Sequence, residues 1–79
     1  MPVLASVPPK CLVWILQQCG WVIQREDNFN WALTHPSIIP YIAVIPKLPG
    51  LIATELIEEI VKETVGDGKF IELKGKCPP

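Results

Sequence analysis

Side chains that titrate near neutral pH are nearly missing from this sequence, which holds a single histidine, His35. Histidine is the residue whose ordinary pKa suits proton transfer at pH 7. General acid–base chemistry would therefore rest on one position, and no Ser, Cys or carboxylate is placed by sequence to complete a constellation with it. Also missing are a Cys-x-x-Cys pair, a His-Glu pair at metal spacing, a Gly-rich phosphate loop and a nucleophile elbow. No cofactor or metal is expected. Charge of one sign is lacking too: seven Lys and Arg oppose eight Asp and Glu, a formal net charge of −1. Without a global positive field, any binding to nucleic acid or anionic lipid must come from a local patch.

Long apolar runs are short of what a membrane needs. The stretch from Ile38 to Leu56 is broken by Pro40, Pro46, Lys47, Pro49 and Gly50, whereas a bilayer span takes ~20 apolar residues in unbroken helix. Met1 to Pro9 has neither a positive n-region nor a continuous apolar h-region, so a cytoplasmic location is expected. Cysteine is sparse and odd in number: Cys11, Cys19 and Cys77. Cys11 and Cys19 are eight apart in a predicted helix. At ~1.5 Å rise per residue their backbones lie ~12 Å apart, too far for a bridge or a shared metal. They read as small buried hydrophobes, and Cys77 as a free thiol on a loose tail.

What is present is a chain of 79 residues, about half hydrophobic and one fifth charged. That is the composition of one small globular domain, residues 1–79, with an ordered core over about 8–73 and a mobile tail over 74–79. Pro8 and Pro9 suit a helix first turn. From Lys10 to Cys19, Leu12, Ile15, Leu16 and Cys19 recur at helical spacing, and Gly20 closes the end. The period then changes to two in Trp21 to Glu26, predicting a strand with Trp21, Ile23 and the stem of Arg25 on one face. Asp27, Asn28, Phe29 and Asn30 form a turn. Trp31 to His35 alternates again and stops at Pro36.

A third strand, Tyr41 to Ile45, is apolar almost throughout and is expected to be well buried. Leu51 to Glu63 carries Ile52, Leu56, Ile57, Ile60 and Val61 on one stripe opposite Glu55, Glu58, Glu59, Lys62 and Glu63, which predicts the second helix. Lys69 to Leu73 reads equally as an edge strand or a helical turn, with Phe70 capping the core. The fold class is α+β: the order α-β-β-β-α, with a three-stranded antiparallel sheet and two helices on one face.

Several phrases, taken in order, resemble the HicA (YcfA-type) family of toxin–antitoxin systems. They are Cys19-Gly20-Trp21-Val22-Ile23-Gln24-Arg25 at the entry to the first strand, Thr34-His35-Pro36 closing the second, Ala43-Val44-Ile45-Pro46 in the third, and Pro49-Gly50 before the second helix. The likeness covers Lys10 to about Gly66. It implies a double-stranded-RNA-binding-domain-like fold, an mRNA interferase activity, RNA as partner and an antitoxin-like protein that holds it in check. The family places a catalytic histidine in a Gly-Ser-His turn, where this chain has Asn28-Phe29-Asn30. An amide has no group that titrates near neutral pH, so Asn30 in that position implies a catalytically degenerate member.

Beside that resemblance stands a plain reading of the residues. Lys10, Arg25 and Lys47 can cluster at one end of the sheet and meet phosphates, or can be ordinary solvated cations. Trp21 and Tyr41 read as core, whereas Phe29 and Trp31, in and beside the polar turn, suit a partner protein or a stacked base. His35, at a strand end before proline, reads as structural more readily than catalytic. The alternative function is a non-catalytic protein-interaction module. It would use the hairpin, the sheet face or a sheet edge.

Overall fold

The computed structural model describes residues 5–78. The first helix, α1, spans Pro9–Gln18, with Pro8 in extended conformation ahead of it and Pro9 in the first turn. Its end follows the sequence closely. Gly20 takes φ +92°, its N–H donates to the Gln17 carbonyl and that of Trp21 to the Leu16 carbonyl. This paired closure satisfies two helix-end carbonyls and needs a residue tolerant of the left-handed region.

Strands β1 (Val22–Glu26), β2 (Asn30–Thr34) and β3 (Ala43–Pro46) form an antiparallel sheet in the order β1-β2-β3. The register pairs Ile23 with Leu33 and Arg25 with Ala32, so Gln24 is an extra residue in β1. This bulge changes the expected facing of the first strand. After one inserted residue the alternation is reversed, and Arg25 lies on the face opposite Ile23, across from Ala32 and then Val44.

Leu33, Ala43 and Ile45 carry the sheet's side of the core and are fully buried. Ile42 and Val44, about half exposed, turn the other way. The third strand is thus buried on one face only, because all three helices gather on the side of Leu33 and Ile45.

Helix α2 spans Thr54–Glu63. It begins three residues later than its apolar stripe predicts, since Ile52 remains extended and donates its N–H to the Val7 carbonyl. Ile57, Ile60 and Val61 face inward. Gly66, at φ +83°, turns the chain into a third helix, α3, over Asp67–Lys74. The segment left open between strand and helix is therefore helical, and its Phe70 is fully buried. The helix packs against both α1 and α2, while α1 lies on β3.

The cysteine pairing departs from the sequence reading. Cys11 and Cys77 form a disulfide across 66 residues of sequence, with Cα atoms 5.6 Å apart. Cys77 is thus no free thiol, and residues 75–78 are tethered to α1. The spacing argument holds for Cys11 and Cys19, which do not bridge. It could not see that α3 folds back along α1 and delivers Cys77 to it. Cys19 stays reduced and half-buried. Burial pushes its thiol upward, the nearby Lys69 ammonium works against that shift, and Glu72 adds to it.

The core of fifteen buried apolar residues contains no buried polar or charged side chain among the described residues. The fold therefore rests on burial and close packing.

Candidate functional site

The hairpin is organised by Asp27. Its Oδ1 accepts the N–H of Phe29 at 2.7 Å and of Asn30 at 2.8 Å, while its own N–H donates to the Asn30 carbonyl. The Phe29 and Asn30 N–H groups hold the Asp27 carboxyl below the usual carboxylate range, helped by the Lys47 and Arg25 charges. Bonding to the charged form favours it. Asn28 and Phe29 are left at the tip, and Phe29 is 76% exposed.

Behind the tip, on the helix side of the sheet, Trp31 is the floor of a groove of 450 Å³ between α1 and the loop after β3. Pro8, Pro9, Leu48 and Pro49 wall it. Lys10 and Lys47 border it. The Lys47 Nζ sits 4.8 Å from the Trp31 ring centre and 2.6 Å from Glu26 Oε2. An exposed pair of this kind contributes ~0–1 kcal/mol, and the ring contact ~0.5–1 kcal/mol. Their main effect is to orient the lysine over the indole. A second groove of 300 Å³ continues past Lys10 and Trp31 along Val13, Trp14 and Gln17 to Pro78.

The expected cluster is therefore divided. Lys10, Trp31 and Lys47 come together. Arg25 and Asn30 line a shallow depression on the opposite face with Asp27, Ala32 and Val44. The bulge at Gln24 turns Arg25 away, and ordinary alternation in β2 sets Asn30 on the face opposite Trp31. Phe29 and Trp31, two residues apart, do not form one anchor, since Trp31 is drawn into the helix side and Phe29 projects from the end.

His35 lies at the other end of β2. Its Nδ1 accepts the Ser37 N–H at 3.0 Å, and its ring packs 5.5 Å from that of Trp21. Trp21 in turn meets Tyr41 edge to face. The imidazole is a structural element joining the strand end to the α1–β1 turn. The Tyr41 hydroxyl is raised above its ordinary pKa by burial and by the carboxylates Glu63 and Glu59.

Sequence reasoning named the sheet face as a contact surface but missed the apolar side chains exposed on it, because the third strand was expected to be buried throughout. Val22 (56%), Ile42 (53%) and Val44 (49%) are exposed there. Val22 also borders a depression of 410 Å³ with Gln24, Thr34, His35, Pro36 and the highly exposed Ile39. The signal was available: a three-stranded sheet with helices on one side turns every second residue of an apolar strand toward water.

Among the described residues, no three His, Cys, Asp or Glu side chains gather as a metal site, and no helix is long and apolar enough to cross a membrane. No family model, curated protein or solved structure matches the chain.

Proposed function

We infer that this protein is a non-catalytic interaction module whose partner covers the open face of the sheet and the hairpin tip. The observation that carries this reading is the exposed apolar row of Val22, Ile42 and Val44 beside Ile39. Thr34 of β2 stands between Val22 and β3 in the register, so these are apolar groups gathered on one face, and exposed apolar groups gathered in this way mark contact sites. The sheet edges are poorer docking points. The β1 edge is interrupted by its bulge, and β3 ends in Pro46, which has no N–H to give. Both devices discourage strand addition. The partner surface that fits is an apolar strip against Val44 and Ala32, since Arg25 on that face already has the Asp27 carboxylate beside it.

Immobilised protein and its Val44→Asp variant, each exposed to extract of the source cells, test the assignment. Val44 points away from the core, so the variant should fold and lose a partner that the parent retains. The same set of proteins retained on both would remove the reading.

A second reading, HicA-like RNA binding under the control of an antitoxin-like protein in the cytoplasm, draws support from Lys10 and Lys47 framing the Trp31 indole. An indole beside cations can hold a stacked base and its phosphate, here with Lys47 displaced from the ring face it now covers. Because Glu26 neutralises Lys47, Lys10 would carry the phosphate contact. Single-stranded RNA titrated at low and moderate salt, with and without Lys10→Ala, tests it. Binding that ignores both salt and Lys10 would count against it. Asn30→His, assayed for RNA cleavage, tests the degenerate-interferase part of this reading.

A further inference from the structure

The second groove has an unusual wall. Lys10, Val13, Trp14 and Gln17 come from α1 and Trp31 from β2, but Pro78 comes from the chain end. That residue directly follows Cys77, which is bonded to Cys11 of α1. Among the described residues, the last hydrogen bond along this end is from the Lys76 N–H to the Leu73 carbonyl, and none joins residues 77 or 78 to α1 or the sheet. The disulfide is thus the covalent strap that keeps the chain end against the Trp14–Trp31 surface.

We propose that the Cys11–Cys77 disulfide is a redox-controlled latch that holds Pro78 as one wall of the groove of Trp14 and Trp31, and that its reduction releases this wall and widens the groove. The inference is separate from the assignment of the open sheet face, which lies on the other side of the molecule. Three observations support it. Cys11 lies in the core and Cys77 packs against it, yet α1, α3 and the sheet are also joined by Leu12, Leu16, Leu33, Ile45 and Phe70, all fully buried, so packing independent of the bridge holds them. Cys11, 5% exposed, is an acceptable buried side chain as a free thiol, because cysteine behaves there as a small hydrophobe. Cys77 is the more exposed of the two, which makes it the side from which an incoming thiolate would attack.

The chemistry is an ordinary exchange with a dithiol. One thiolate attacks Cys77 Sγ, the Sγ–Sγ bond breaks, and Cys11 leaves as a thiolate that takes a proton. The second thiol of the reductant then displaces Cys77, which also takes a proton. Two electrons and two protons have moved to the protein, and the dithiol has become a disulfide. Disulfides last in oxidising compartments and are reduced in the cytosol. The latch would therefore report which of the two surrounds the protein.

The test uses the full chain, air-oxidised and then treated with dithiothreitol, and follows the three indole N–H signals by NMR. Oxidised protein should be lighter than reduced protein by two hydrogens. On reduction the Trp14 and Trp31 signals should shift and the Lys76 amide, which donates to the Leu73 carbonyl, should lose protection. Trp21, buried against His35 and Tyr41 on the far side, should keep its signal. Cys77→Ser should reproduce the reduced spectrum without any reductant, and Cys19→Ser should leave the oxidised one unchanged. Three free thiols in air-oxidised protein would overturn the proposal. So would Trp14 and Trp31 signals that ignore reduction, or collapse of all three indole signals together.

Discussion

Replacing Gly20 by alanine isolates the junction on which the entry to the sheet depends. At φ +92° a side chain is strained wherever it points. The left-handed region costs an ordinary residue ~1–2 kcal/mol. The new Cβ would also stand 3.0 Å from His35 Nε2 and 3.4 Å from Cδ2. The imidazole cannot move freely, because Ser37 donates to its Nδ1 and Trp21 packs on its ring. Displacing it puts that hydrogen bond at risk, worth ~0.5–1.5 kcal/mol. Gly20→Ala is expected to lose ~2–3 kcal/mol in all, a large part of the ~5–15 kcal/mol by which small domains are stable.

Urea denaturation followed by Trp fluorescence measures this loss, and a double-mutant cycle with His35→Ala divides it. With the imidazole gone, the steric part should vanish while the backbone part remains, so the two substitutions should be non-additive by ~1 kcal/mol. A loss below ~0.5 kcal/mol for Gly20→Ala, or strict additivity with His35→Ala, would refute the account of this turn.

Three further outcomes follow from the hairpin and the core. Asp27 has a folded pKa below its unfolded one, so its contribution is complete above the ordinary carboxylate range and disappears as pH falls through the depressed folded value. A pH titration by NMR should show the Asp27 carboxyl titrating low and the Phe29 and Asn30 amides losing protection together with it. Leu33→Ala should cost ~2–5 kcal/mol, as a fully buried leucine in a close-packed core. Phe29→Ala should stay within ~0.5 kcal/mol of the parent, because its ring touches mainly water. Equal effects of the two truncations in thermal unfolding would contradict the assigned faces.

Local chemistry explains how much of this architecture could be read in advance. The Pro8–Pro9 start and Gly20 stop of α1, the Asp27 turn and the change of period at Trp21 each act over a few residues. They fall where the sequence places them. The α-β-β-β-α core follows from those signals together with the apolar stripe at Ile57, Ile60 and Val61. The site was less legible. Lys10, Trp31 and Lys47 do converge, but Arg25 does not, since one inserted residue at Gln24 reverses the facing of everything beyond it.

By itself, then, the sequence determined the α-β-β-β-α elements, their order and the burial of Phe70, because periodicity, capping and turn formation depend on neighbours in the chain. The tertiary structure decided three things: the helical state of residues 67–74, the pairing of Cys11 with Cys77, and the exposure of Val22, Ile42 and Val44 on one sheet face. Each depends on which surfaces meet across long separations in the chain. Local spacing carries no record of the first two, whereas strand alternation put Ile42 and Val44 on one face and the position of the helices left that face to water.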